Sequence, residues 1–258
     1  MSDELAVYPG LGSALNARFR GHADRDWEEW RVRHYYGDAA SIPDSAAHAW
    51  LGREQKHGFR GISGKPALRH LIVGNADQAV LDEVGQVHGL ERLELEGPML
   101  ARDLSPLLAL ASLRFLSIDS PRHLADFAPL LDLPGLRTLI ITNAKGMANL
   151  DWLSAADRLE VIGIEGGMWS PMTIPTLQPL AGLASLRAFL GTSTKLGDKQ
   201  LMPLADCPSL RFVGIARVAA RDEFERLHQA RPDIYCDWFQ PGMWKTRTVR
   251  KDDKPGAP

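Results

Sequence analysis

The sequence predicts an α/β repeat protein, a solenoid in which short strands alternate with short helices or 3-10 turns. Three observations predict it. An apolar spacing of L-x-x-L-x-L recurs about seven times between residues 65 and 233. Apolar and polar residues alternate at the end of each copy, as in a strand with one buried face. The second half of each copy carries proline and leucine in register, which suits the first turn of a short helix.

The first leucine of each copy sets the period. The residues three and five positions later complete a buried triplet, as Leu113, Leu116 and Ile118 do in the stretch 113–133. A single unit has one apolar edge that it cannot bury alone, so stacked neighbours must complete the core. The first leucines are Leu68, Leu90, Leu113, Leu136, Leu159, Leu186 and Leu210, and the steps between them are 22, 23, 23, 23, 27 and 24 residues.

The second half of the unit supplies further columns. Trp152 takes the proline position in the fourth unit, and Cys207 stands where other units have leucine. Cys207 is therefore predicted to be a small buried hydrophobic residue and not a nucleophile. The prolines of the first column are Pro106, Pro129, Pro179 and Pro203, and the leucines that follow are Leu107, Leu130, Leu153, Leu180, Leu204 and Leu227.

Residues 1–64 do not fit the repeat and are rich in aromatic side chains. A helix is predicted through DRDWEEWRVRHYY, with Asp24 as its N-cap, and a second short helix through SAAHAWLGREQKH. We interpret this region as an N-terminal cap that covers the open end of the solenoid. A separate functional module is the alternative.

The C-terminal region, residues 234–258, is predicted to close the other end. The stretch IYCDWF alternates as a strand does, with Ile234, Cys236 and Trp238 on one face. Residues 240–258 lack periodicity and are mildly basic, which is typical of a disordered, solvated tail.

Composition limits the classes of function. The 258 residues carry a net charge of −2, so no global charge favours nucleic acid or an anionic membrane. No apolar run is long enough to span a bilayer, and the acidic start is not a secretory signal. Two cysteines cannot form a disulfide framework, and a reducing cytoplasm is the expected location. No nucleotide-binding, zinc-protease or C-x-x-C motif occurs, and the eight histidines are scattered, so we expect no cofactor, no metal and no catalytic residues.

The repeats resemble the leucine-rich repeat family over residues 65–233. Units of 22–23 residues that end in L-x-P-L-x-x-L are most similar to its internalin-type subclass. The resemblance implies a right-handed solenoid with a concave parallel sheet and with short helices or 3-10 turns on the convex side. The family usually places asparagine where this chain has Pro98, Pro121 and Ala144, with Asn143 one residue early. A weak or absent asparagine ladder is therefore expected.

The residues between the buried ones of each strand are predicted to face the concave side. They form three rows, which we call the first, second and third rows of the concave face. The first row is His70, Arg92, Phe115, Thr138, Val161, Ala188 and Phe212; the second is Ile72, Glu94, Ser117, Ile140, Gly163, Leu190 and Gly214; the third is Gly74, Glu96, Asp119, Thr142, Glu165, Thr192 and Ala216.

These rows bring an unpaired acidic group beside exposed apolar side chains, a combination that suits a binding interface. The predicted partner-binding residues are Glu94, Glu96, Phe115, Asp119, Ile140, Glu165, Trp169, Leu190 and Phe212. An acidic surface favours a protein partner with a basic patch and disfavours a phosphate backbone. Polar and scattered apolar residues on a strand face that bind nothing are the alternative.

The 27-residue unit holds extra residues at 166–175, the loop GGMWSPMTIP. Met168, Trp169 and Met172 lie among glycine and proline at the end of a strand, where binding residues often collect. This loop is predicted to grip one side of the partner. Alternatively, Trp169 folds back over the edge of the core.

The leading hypothesis is a non-enzymatic protein-binding module, and an inhibitor or immunity-type protein is one form of it. A second hypothesis is an enzyme with a site in residues 1–64, for which His34, Asp38, His48 and His57 are the acid–base candidates. A third is a structural scaffold that assembles through its tryptophan-rich ends. The sequence leaves the identity of the partner and the oligomeric state open.

Overall fold

The computed structural model describes residue 19 and residues 27–52, 57–167 and 170–244. Within these residues nine strands form one parallel sheet, in the order β1-β2-β3-β4-β5-β6-β7-β9-β11, and β8 pairs with β10 in a small second sheet. The strands are β1 Tyr35–Tyr36, β2 His48–Leu51, β3 His70–Gly74, β4 Arg92–Glu96, β5 Phe115–Asp119, β6 Thr138–Thr142, β7 Val161–Glu165, β8 Met172–Ile174, β9 Ala188–Gly191, β10 Thr194–Leu196 and β11 Phe212–Ile215.

Helices and 3-10 turns return the chain from one strand to the next. Four of the repeat turns have proline in their first two positions, as the sequence predicted, because the missing N–H of proline costs nothing there. The helices are α1 Trp27–Arg33, α2 Gln78–Val84 and α3 Arg221–Ala230; the repeat turns are Ser105–Ala109, Ala128–Asp132, Asp151–Ala155, Gln178–Leu180 and Met202–Asp206. Further 3-10 turns are Ala39–Ser41, Ile62–Gly64, Asp237–Phe239 and Pro241–Trp244.

The strand register confirms the repeat alignment. Phe115 pairs with Thr138, and Thr138 pairs with Val161, so the first row of the concave face runs unbroken across the sheet. On the other face of the same strands, Leu116 and Ile118 are fully buried in the leucine core. Cys207 is also fully buried there, and burial raises the pKa of its thiol, as expected of a residue that replaces leucine.

A backbone ladder links the turns at the ends of the strands. Asn75, Ser120 and Asn143 adopt positive φ angles of 50°, 50° and 55° immediately after their strands. Their backbone N–H groups donate to the carbonyls of Glu96, Thr142 and Glu165 on the next strand, at 3.0, 2.8 and 2.7 Å. Main-chain hydrogen bonds therefore tie these turns together where the sequence predicted few asparagine side chains.

The N-terminal region corrects two secondary-structure predictions. The helix predicted through residue 36 ends at Arg33, and Tyr35–Tyr36 forms the edge strand β1. The second predicted helix is wrong, because residues 48–51 form β2, which pairs with β3 and buries Ala49 and Leu51. Pairing with a neighbouring strand outweighs local helix propensity here. The predicted N-cap Asp24 lies outside the described residues, and the division at residues 64 and 233 stays a prediction.

The C-terminal strand prediction is wrong in extent. Tyr235 makes a single parallel bridge to Phe212, and the chain then turns into the 3-10 helix Asp237–Phe239. Ile234 and Cys236 are buried as the alternation predicted. The predicted tail lies outside the described residues from 245 onward. In the part of the chain that the structure describes, no helix is long and apolar enough to cross a bilayer.

Candidate partner-binding surface

Two arginines and a histidine surround the acidic side chains on β4. Glu94, in the second row, is 12% exposed, and its Oε1 lies 2.9 Å from His70 Nε2 and 2.8 Å from Arg92 Nε. The Arg92 guanidinium lies 3.4 Å from the centre of the Phe115 ring. Glu94 is therefore paired with two residues of the first row, His70 and Arg92.

Glu96, in the third row, binds an arginine from outside the repeats. Arg31 Nη2 of α1 donates to its two carboxylate oxygens at 3.0 and 3.2 Å. The Arg31 guanidinium also lies 3.9 Å from the centre of the Trp50 ring on β2. Burial raises the pKa of Glu96, with Arg31 opposing the rise and the carboxylates of Glu94 and Asp119 adding to it.

Aromatic rings from α1 and the first strands pack on the same end of the face. The Trp30 ring stacks on His70 with centroids 4.6 Å apart, and it lies 4.7 Å from His34. His48 of β2 meets His34 and His70 edge-on, at 5.4 and 5.9 Å. Helix α1 therefore covers the concave side of β2, β3 and β4.

The third row continues as a polar rim at the ends of the strands. Asp119 accepts a hydrogen bond from Ser120 Oγ at 2.8 Å, and Ser120 Oγ accepts one from Asn143 Nδ2 at 2.9 Å. Glu165 is 2% exposed and accepts a hydrogen bond of 2.5 Å from Thr192 Oγ1. Of these two carboxylates, Asp119 is the one within reach of solvent.

An apolar cluster occupies the first and second rows over β5 to β11. Its residues pack against each other separately from the leucine core, and Phe19 from the N-terminal region packs against them. The Phe19 and Phe212 rings stack with centroids 5.2 Å apart and 26° between their planes. The cluster consists of Phe115, Ile140, Val161, Ala188, Leu190 and Phe212, all buried.

These contacts correct two expectations about the concave face. Glu94 and Glu96 are not an unpaired acidic row, because His70 and Arg92 contact Glu94 and Arg31 binds Glu96. Phe115, Ile140, Leu190 and Phe212 are not exposed, because an open apolar sheet would leave a large area in water and the chain packs residues of its own against it. The role of these residues in binding a partner stays a prediction.

The 166–175 loop is partly described. Trp169 lies outside the described residues, as does Met168, so the predicted grip cannot be located on them. Met172 belongs to β8, where it is buried beside β10.

The acid–base candidates of residues 1–64 fall at different places. His34 and His48 meet at the aromatic cluster beside His70. Asp38 caps the turn Ala39–Ser41 by accepting from the Ser41 N–H at 2.8 Å, and the His57 ring lies 6.4 Å from that of Phe59. Among the residues described, no three or more His, Cys, Asp or Glu side chains form a group that could hold a metal ion.

Sequence reasoning missed the part that α1 and Phe19 play on this face. The available signal was compositional. Residues 17–33, ARFRGHADRDWEEWRVR, combine arginines with aromatic residues, which is the chemistry that an acidic and aromatic face attracts.

The architecture follows from three features: the repeated strands are in register, they form one continuous parallel sheet, and short helices or 3-10 turns connect them. The fold is a leucine-rich repeat solenoid. No family model matches the sequence, and no curated protein does either.

Solved leucine-rich repeat structures are similar to this chain. Internalin C2 of Listeria monocytogenes is 23% identical over 60% of this chain and 67% of its own, with a TM-score of 0.43. A leucine-rich repeat protein of Leptospira interrogans is 16% identical over 70% of this chain and 52% of its own, with a TM-score of 0.49. The internalin inlF of Listeria monocytogenes is 15% identical over 72% and 65%, with a TM-score of 0.44. This chain thus spans about half to two thirds of these proteins.

Proposed function

We propose that this protein is a non-enzymatic module that binds a basic protein partner on its concave face. One observation carries the proposal: the acidic residues Glu94, Glu96 and Asp119 lie together on the adjacent strands β4 and β5. Their mutual repulsion contributes to the raised pKa of Glu96. A cationic partner would relieve this repulsion, and an acidic face would also speed its approach.

The rim of the third row is the accessible part of this surface. Glu96 keeps 38% of its side chain exposed despite the Arg31 contact, and Asp119 on the next strand is half-buried. Both residues are part of a regular sheet, so their backbone loses little conformational entropy when a partner binds. A protein that presents arginine or lysine to this rim fits the site.

An inhibitor or immunity-type protein remains our more specific proposal. Its acidic concave face would cover the basic active site of a toxin or enzyme. The reducing cytoplasm is the compartment that we propose for this activity, since the two cysteines are buried thiols.

The substitution Asp119→Lys tests the proposal. Tagged wild-type chain captures the partner from the native source, mass spectrometry identifies it, and the purified partner is titrated against each variant. We expect Asp119→Lys to weaken binding roughly tenfold and the wild-type affinity to fall with added salt.

Glu91→Lys is the matched control. Glu91 is exposed and immediately precedes β4, the strand next to that of Asp119, at the end opposite the rim. Its substitution by lysine changes the charge by the same amount as Asp119→Lys does. This variant should bind the partner as the wild type does. Equal affinities for wild type and Asp119→Lys would overturn the acidic rim as the site.

A further inference from the structure

The N-terminal region of this chain contacts the concave face at two separate places. Phe19 stacks on Phe212 of β11, and Arg31, twelve residues later in the sequence, bonds Glu96 of β4. Five strand-to-strand steps separate β4 from β11 in the sheet. At about 4.8 Å per step, the two contacts lie roughly 25 Å apart.

The contact at Phe19 is apolar. Phe19 is partly buried against the cluster around Phe212, and Phe212 itself is only 2% exposed. Tyr235 also stacks on Phe212, with centroids 6.0 Å apart. This end of the face therefore accepts a flat aromatic ring.

The contact at Arg31 is ionic and aromatic together. Its guanidinium donates to both oxygens of Glu96 and lies over Trp50, while its side chain remains 29% exposed. The neighbouring Trp30 stacks on His70. Planar, weakly hydrated arginine suits such a site better than lysine, because it can bond and stack at once.

We infer that the concave face is a site for a protein segment that presents a phenylalanine and an arginine, and that Phe19 and Arg31 occupy it from within. A partner segment of this chemistry would take the places of both side chains. To bridge roughly 25 Å, an extended segment needs at least about seven residues between the two anchors. This inference rests on the proposed function, because it names the chemistry of the partner at the same face.

Internal occupancy has a measurable consequence. A tethered segment is present at a high effective concentration, so it competes strongly with any segment added from outside. The apparent affinity for an external segment is reduced in proportion to the fraction of molecules whose face is free, so it is low when most faces are occupied. Removing the two internal side chains should therefore increase binding from outside.

A synthetic peptide of residues 14–34 serves as the probe. Labelled with fluorescein, it is titrated by fluorescence anisotropy against the full-length wild type and the full-length double variant Phe19→Ala/Arg31→Ala. We expect the double variant to bind the peptide at least about tenfold more tightly than the wild type. A peptide with both substitutions should not bind either chain.

Two further substitutions, each added to the full-length double variant, test where on the chain the peptide binds. Glu96→Gln removes the negative charge that pairs with the arginine and should weaken peptide binding, whereas Glu91→Gln, outside the face, should leave it unchanged. Circular dichroism and thermal unfolding check that each chain is folded, and Arg31→Ala alone replaces the double variant if that one does not fold. Equal binding of the native and doubly substituted peptides would overturn the inference.

The two proposals fail separately. If the peptide binds as expected but Asp119→Lys leaves partner affinity unchanged, the acidic rim is wrong and the internal occupant stands. If Asp119→Lys weakens the partner but no chain binds the peptide, the rim stands and the internal occupant is wrong.

Discussion

Burial and charge decide the chemistry of individual side chains in this protein. Cys236 lies at the C-terminal end of the solenoid, where burial raises the pKa of its thiol to about 12. Such a thiol stays protonated near neutral pH and is a poor nucleophile. Sequence periodicity had assigned the same structural role to Cys207, and its burial confirms that assignment.

The ionisation of Glu96 makes the stability of the fold depend on pH. Because burial raises its pKa in the folded protein, the unfolded chain releases this proton at lower pH than the folded chain does. The contribution of Glu96 to stability is therefore greatest below its ordinary pKa and is lost as the pH rises through the raised value.

We expect Glu96→Gln to gain stability relative to the wild type as the pH rises from 4 to 7. The glutamine keeps the size of the side chain but cannot ionise beside Glu94 and Asp119. Urea unfolding of both proteins at each pH measures the difference in the free energy of unfolding. A constant difference across this range would contradict the raised pKa.

At the scale of the elements, local sequence predicts the repeat strands and turns well. The apolar triplets and the proline column act within a single unit, so their signal is local. The prediction fails at residues 48–51, because HAWL becomes a strand only when it pairs with β3. It also misses the pairing of β8 with β10, which joins segments of neighbouring units.

Gly166 allows the small sheet β8–β10 to approach the main one. A Cβ atom on Gly166 would lie 1.9 Å from the Ser193 carbonyl oxygen and 2.7 Å from the Met172 backbone nitrogen. We expect Gly166→Ala to destabilise the protein by roughly 1–3 kcal/mol, as overpacking against rigid backbone does. Chemical denaturation measures the change in the free energy of unfolding.

Gly74→Ala is the control for this glycine. Gly74 lies in β3, and an added Cβ there meets nothing within 4 Å. It should leave stability unchanged or raise it slightly, since alanine loses less backbone entropy on folding. If both substitutions had the same effect, close approach at Gly166 would not be the cause.

At the scale of the whole molecule, the leucines of all the repeats form one continuous hydrophobic core. Each repeat unit contacts mainly its neighbours, so the stability of the array combines unit and interface terms. Damage to a central unit therefore weakens the interfaces on both of its sides.

The substitution Leu116→Asp tests the register of the core. Leu116 lies in β5 and is fully buried in the leucine core, so an aspartate there would place an unpaired charge among leucines. We expect a loss of about 3 kcal/mol or more in the free energy of unfolding, measured by denaturant or thermal melting. Ser112→Asp, in the exposed turn just before the same unit, should change stability by no more than about 0.5 kcal/mol. An unchanged melting curve for Leu116→Asp would contradict the assigned register.

The sequence by itself determined the repeat, its register and the three rows of the concave face. These follow from periodic contacts within a unit and between adjacent units, and such contacts leave a regular pattern of leucines. The sequence also determined which acidic and apolar side chains lie on that face.

Only the tertiary structure decided what covers the face. Phe19 meets Phe212, and Arg31 meets Glu96, across long separations in the chain. No local spacing encodes such contacts, because they depend on where the N-terminal region packs against the sheet. The physical reason is the same at both ends of the face: exposed apolar area and concentrated negative charge are stabilised by aromatic and cationic groups from elsewhere in the chain.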